Sequence, residues 1–187
     1  MPPEERRASI IAAALPLLRI HGEAVTTAQI ALAAGIAEGT LFRVFPDKES
    51  LIQAAICTAF DPAPAERELD AIDPDLPLRD ALIAAVEILQ RRVGGVWQLI
   101  SMLNRPPPMQ RPEPPPPQPP RRLIAIFTAH QDELRCAPEQ AARVLRVMTF
   151  GGTHPRIAEG PPFTAAEIVS LVLDGIRARS ESEDSPC

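Results

Sequence analysis

Apolar positions three and four residues apart recur from one end of the chain to the other, and this period predicts an all-α protein. The first stretch runs from about Pro3 or Glu4 to Ile20, with Ile10, Ile11, Ala14, Leu15, Leu17 and Leu18 as a broad apolar face and Gly22 as its stop. Pro16 lies inside it. Proline removes the backbone bond to Ala12, but the apolar pattern continues beyond, so a bend is expected rather than a break. From Thr26 to Lys48, TTAQIALAAGIAEGTLFRVFPDK spells two short helices joined by a tight turn. Thr26 or Thr27 caps the first, in which Ile30, Ala31, Ala33 and Ala34 recur at helical spacing. Gly35 ends it, because glycine enters the left-handed conformation without a side-chain penalty, and Ile36 turns back toward the core. The second helix spans about Glu38 to Phe45, with Leu41 and Phe45 inward and Glu38, Gly39, Thr40 and Arg43 outward. Pro46 closes it, and Asp47 caps a third helix that carries Lys48, Leu51, Ile52 and Ala55 as far as about Phe60.

Pro62, Pro64, Pro74 and Pro77 then mark a domain junction with one short helical turn expected between them. Helical spacing resumes at Leu78. Leu82, Ala85, Val86 and Leu89 share a stripe, Gly94-Gly95 predicts a break, and Val96, Trp97, Leu99, Ile100, Met102 and Leu103 follow. Ten of the 23 prolines fall between Arg105 and Pro120, a run that suits neither helix nor central strand and predicts an extended, mobile loop. Leu123, Ile124, Ile126, Phe127 and Leu134 predict another helix, closed by Cys136-Ala137-Pro138. Pro138 suits the first position of the next, where Ala141, Val144, Leu145 and Met148 form a stripe. After the Gly- and Pro-rich loop from Gly151 to Pro162, Thr164 and Glu167 form a capping box for the last helix. Its face holds Ile168, Leu171, Val172 and Gly175, broadened by Val169, Leu173 and Ile176, and the acidic tail SESEDSPC is expected to be disordered.

Two short helices held at a steep angle by the small residues Ala31, Ala34 and Gly35 match the major groove of B-DNA, with the second helix meeting base edges. These residues resemble the N-terminal DNA-binding domain of the TetR family of bacterial transcriptional regulators. The resemblance lies in a Thr-Thr start, an Ile-Ala-x-x-Ala-Gly first helix, a Gly-Thr-Leu-aromatic second helix and a Phe-x-x-Lys-Glu-x-Leu exit, between Thr26 and Leu51. It implies a three-helix DNA-binding domain followed by a helical ligand-binding and dimerisation domain. The implied DNA-binding residues are Thr26, Thr27 and Ala28, then Glu38, Gly39, Thr40, Phe42 and Arg43, and Lys48 on a phosphate. Three positions depart from the family pattern. Phe42 replaces a usual tyrosine, Val44 a common histidine, and Ala37 a serine cap whose loss costs roughly 1 kcal/mol.

Charge qualifies this picture. The net value is −5, so general electrostatic attraction to nucleic acid is weak, and what matters is where the few cations sit. In the first fifty residues Arg6, Arg7, Arg19, Arg43 and Lys48, the sole lysine, face Glu4, Glu5, Glu23, Glu38, Asp47 and Glu49. Cys57, Cys136 and Cys187 have neither disulfide nor zinc spacing. His21, His130 and His154 show no metal-ligand pattern, and no nucleophile-base set is visible, so no enzyme, cofactor or metal is expected. With no apolar run long enough to span a bilayer and no secretory pattern in MPPEERRASI, a cytoplasmic location is expected.

The two C-terminal helices are broadly apolar, so each suits packing against its copy in a homodimer, as the resemblance also implies. The resemblance further implies a small-molecule effector in the C-terminal helices. Trp97, Met102, Phe127, His130 and Phe150 are candidate lining residues, suited to an apolar ligand. The expected organisation is a helix-turn-helix domain at 1–46, a connecting helix at 47–60, and an effector and dimerisation domain at 61–179. The Pro-rich loop is at 105–120 and the tail at 180–187. The expected function is a dimeric repressor on a palindromic operator of double-stranded DNA, released by its effector. The alternative is a protein-interaction module that uses the PxxP spacings of the proline run, with the helix-turn-helix vestigial.

Overall fold

The structure is a computed structural model that describes residues 2–103 and 119–176. The expected loop at 105–120, except its last two prolines, and the tail at 180–187 lie outside the described residues, as does Cys187. Among the described residues the regular elements are nine α-helices and two 3-10 turns. They are α1 Pro3–His21, α2 Thr27–Ala33, α3 Glu38–Val44, α4 Lys48–Ala59, α5 Ala63–Asp70, α6 Leu78–Leu103, α7 Arg121–Ala129, α8 Pro138–Thr153 and α9 Ala165–Ile176. The chain forms two compact units, one built on Met1–Asp61 together with the chain from Gly95, the other on Pro62–Gly94 together with α7 to α9.

In the first unit, α1 to α4 enclose one apolar core. Ile10, Ala14 and Leu18 of α1 meet Ile30 of α2, Leu41 of α3, Phe45, and Leu51, Ile52 and Ala55 of α4, all buried. Burying each large side chain contributes about 1.5–3 kcal/mol, which is what holds helices of only seven residues in place. α1 passes unbroken through Pro16, which is on the exposed side. Leu99 and Leu103, from the last part of α6, complete this core. Gly22, just past α1, has a φ of 56°, and a Cβ there would lie 2.3 Å from the Met102 carbonyl oxygen. This position is closed to any larger residue.

The second unit packs α5, the first part of α6, and α7, α8 and α9 around Leu69, Leu82, Ala85, Val86, Leu123, Phe127, Leu145, Val169 and Leu173. α5 is longer than the single turn expected from its prolines. Pro62 and Pro64 sit at the helix start, where a missing N–H costs nothing, Ala65 and Leu69 are buried four apart, and Arg91 pairs with Glu68 at 2.6 Å. The expected break at Gly94-Gly95 is corrected: α6 is continuous. Each glycine costs a helix about 1 kcal/mol relative to alanine, less than the anchoring of Leu89 on one side and Leu99 on the other. Gly95 also leaves room for the Arg19 guanidinium, which would lie 3.2 Å from an added Cβ.

The helix expected to reach Leu134 ends earlier, at Ala129. His130 leaves the helical region, a 3-10 turn covers Gln131–Glu133, and Leu134 is extended. The Arg135 N–H donates to the Ile176 carbonyl at 2.9 Å, which holds this segment out of a helix. In α8 the expected stripe is rotated: the buried face is Ala141, Ala142, Leu145 and Thr149, while Val144 and Met148 are exposed. Thr149 joins it because its hydroxyl bonds the Leu145 carbonyl at 2.8 Å. Leu171 likewise faces outward, whereas Ile168, Val169, Val172, Leu173 and Ile176 face the core. The Thr164–Glu167 capping box forms as expected, with Thr164 N–H and Oγ1–H each 2.8 Å from the Glu167 carboxylate. These bonds from Thr164 hold the Glu167 carboxyl below its ordinary range.

Candidate nucleic-acid interface

Thr26 is the cap of α2. Its hydroxyl accepts from the Gln29 N–H at 3.2 Å, and the Thr26 N–H in turn donates to the Gln29 side-chain Oε1 at 2.8 Å. At the other end Gly35 adopts a φ of 67°, its N–H donates to the Leu32 carbonyl, and the Ile36 N–H donates to that of Ala31 at 3.0 Å. This is a Schellman closure, with Ile36 packed against the core. Both ends of α2 are therefore fastened by local bonds. At α3 the arrangement is different. Ala37 offers no side-chain cap, and the helix is held by the buried Leu41 and by Phe45 directly after it. The Arg7 guanidinium of α1 lies 4.4 Å from the centre of the Phe45 ring, a stacking that fixes the ring from the far side.

With Leu41 and Phe45 inside, Glu38, Gly39, Phe42 and Arg43 are exposed and Thr40 is half-buried. Phe42 is 47% exposed, a large apolar ring on a face otherwise polar. Thr26 and Ala28 are exposed and Thr27 is half-buried at the start of α2. The structure joins the two helices through these residues: Thr27 Oγ1 donates to Glu38 Oε1 at 2.5 Å. Asp47 caps α4, accepting from the Ser50 N–H at 2.7 Å. This sets the direction of Lys48, whose ammonium donates to the Glu23 carbonyl in the 3-10 turn before α2. One donor of three is used there, which leaves two for a phosphate. The nine residues named from the sequence thus lie at the start of α2, along α3 and at the start of α4, within one unit.

The five candidate effector residues are distributed differently. Trp97 and Met102 belong to the first unit, and Phe127, His130 and Phe150 to the second. Phe127 is fully buried in the core, while Met102 and Phe150 are exposed. His130 bonds Glu133 through Nδ1 at 3.0 Å and lines a cleft of about 50 Å³ with Leu76, Arg122 and Ile126. A larger cleft, of about 370 Å³, is lined by Glu66, Leu69, Asp70, Pro120, Arg121 and Arg122. Sequence reasoning did not single out those charged residues, nor Arg7 or the Glu23 carbonyl as supports of the DNA-facing set. Their partners lie too far along the chain for spacing to reveal them. Among the described residues no group of three or more His, Cys, Asp or Glu could hold a metal ion, and no helix is long and apolar enough to cross a membrane.

A capped helix, a glycine turn and a second helix with an apolar inner edge and an exposed outer face define a helix-turn-helix DNA-binding protein. Residues 10–55 match the family model described as bacterial regulatory proteins of the tetR family. That match is confined to the N-terminal unit, and the chain as a whole has the fold of solved TetR-family regulators. A structure described as the molecular basis for control of antibiotic production by bacterial hormones is similar with a TM-score of 0.59 and 20% identity, over 93% of this chain and 98% of that one. A TetR transcriptional regulator from Streptomyces coelicolor gives 0.55 and 24% over 93% and 99%. A TetR-family regulator from Mesorhizobium loti gives 0.59 and 16% over 95% and 100%. No curated protein matches the chain.

Proposed function

We propose that the chain is a cytoplasmic, homodimeric repressor that reads a palindromic operator through α3 and is released by a small apolar effector. The observation that carries the reading is the exposed face of α3, set over the buried Leu41 and Phe45 and joined to α2 by the Thr27–Glu38 bond. A major groove admits one α-helix, and its base edges meet the outward residues of that helix. Arg43 reads a base and Lys48 holds a phosphate. Dimerisation is supported by the apolar residues that α8 and α9 leave outside the core of the second unit: Val144, Val147, Met148 and Leu171. Such a face covered by a second copy places two recognition helices in successive major grooves and makes a palindrome the natural site. The effector part rests on the resemblance to the family, and His130 on the small cleft it shares with Leu76 and Ile126 is the polar group offered to a ligand. An effector acts by binding one spacing of the two reading helices better than another.

The test is to footprint the purified chain on fragments of its source genome at moderate salt. Protection of a palindrome is expected, with the neighbouring genes suggesting effectors to titrate against the complex. A folded dimer that protects no fragment, with or without those effectors, would refute the reading.

A further inference from the structure

We propose that Glu38 selects cytosine in the operator and that Thr27 is the residue that positions it for this task. The inference rests on the DNA-reading role of α3 proposed above. Glu38 opens α3 on its exposed side, where a carboxylate is an unexpected group to place against a polyanion. Its side chain is nevertheless tethered. Thr27 Oγ1 donates to Oε1 at 2.5 Å, the short length of a charge-assisted bond. The hydroxyl is available for this because the cap of α2 is made by Thr26. With Oε1 engaged, Oε2 remains as the second acceptor of an exposed side chain.

A carboxylate accepts hydrogen bonds and cannot donate them. In the major groove cytosine presents an amino donor, N4, and no acceptor. Guanine presents two acceptors, O6 and N7, thymine presents O4 and its methyl group, and adenine sets its N6 donor beside the acceptor N7. An acceptor-only group is therefore matched by cytosine, half matched by adenine, and repelled by guanine and thymine. The same negative charge lowers affinity for every sequence through the phosphates. Glu38 is on these grounds a selector that acts by rejecting wrong bases more than by holding the right one. The tether from Thr27 sharpens the rejection, because a carboxylate held at one oxygen cannot swing away from an unfavourable base.

Full-length wild type, Glu38→Gln and Thr27→Val are each to be incubated with a random-sequence library of double-stranded DNA, and the retained duplexes sequenced. Far-ultraviolet circular dichroism and melting confirm that the variants fold. Wild type is expected to enrich a motif with one C·G pair required in each half. In Glu38→Gln that position should change to A·T, because a carboxamide donates to N7 and accepts from N6. The relative preference should shift about tenfold while the rest of the motif stays. Thr27→Val should keep cytosine with a weaker preference. A wild-type motif that persists unchanged in Glu38→Gln would overturn the role of Glu38 and leave the DNA-reading role standing. An undiminished cytosine preference in Thr27→Val would overturn the positioning role, and a wild type that enriches no motif would overturn the DNA-reading role itself.

Discussion

At Gly22 two independent constraints coincide: a φ of 56° that side chains rarely adopt, and a backbone carbonyl from Met102 where a Cβ would go. Gly22→Ala should lower unfolding free energy by about 2 kcal/mol or more, read as a drop in the urea midpoint. The sequence displays Gly22 as a helix stop but conceals its neighbour, because Met102 is distant in the chain. Glu167 is the opposite case, since its partner lies three residues away and the capping box is visible in the letters TAAE. The bonds from Thr164 depress the folded pKa, so the carboxylate adds stability above its unfolded pKa, and that contribution is lost as pH falls through the lower folded value. The stability gap between wild type and Glu167→Gln should accordingly be open at neutral pH and close on acidification through that window. Denaturation at a series of pH values checks it, and a gap independent of pH would count against the carboxylate's role.

Among the elements, those fastened locally were legible and those fastened from a distance were not. Thr26, Gly35 and Asp47 announce the ends of α2 and the start of α4, and each sits where the spacing puts it. Gly94-Gly95 predicts a break that α6 does not make, because a local penalty of about 1 kcal/mol per glycine is outweighed by packing that no local window contains. α7 ends before Leu134 for a similar reason: the bond from Arg135 to Ile176 joins residues far apart in sequence. The continuity of α6 has a direct test. At Gly94 an added Cβ meets no atom within 4 Å, so Gly94→Ala should stabilise by about 1 kcal/mol. At Gly95 the Arg19 guanidinium must move, and Gly95→Ala should gain less. Chemical denaturation of both variants reads the difference, and a loss at Gly94 would mean that the pair is needed as a hinge.

For the whole molecule, the candidate DNA-facing residues were readable as a set because a helix-turn-helix compresses its chemistry into a short stretch. The five candidate effector residues lie in two units, and spacing along the chain carries no information on which distant elements share a pocket. Leu171, 53% exposed on α9, is expected to be covered in the dimer, so Leu171→Glu should shift the sedimenting species from dimer to monomer and weaken operator binding with it. Lys48→Ala should weaken binding to all sequences alike and reduce the slope of affinity against salt by about one unit, whereas Arg43→Ala should also relax base preference. Equal losses on every sequence for both variants would remove Arg43 from base reading.

α3 has no side-chain cap at its start and is secured from beneath, by Leu41 and Phe45. A helix of seven residues in that position has no order of its own and borrows it from the core below. Its amides should exchange with solvent sooner than those of α2 or α4, and the DNA-reading surface should blur under mild heat while most of the chain is still folded. Recognition in this protein is therefore expected to fail earlier than the fold does, and the margin between the two temperatures measures how firmly the first unit grips that helix.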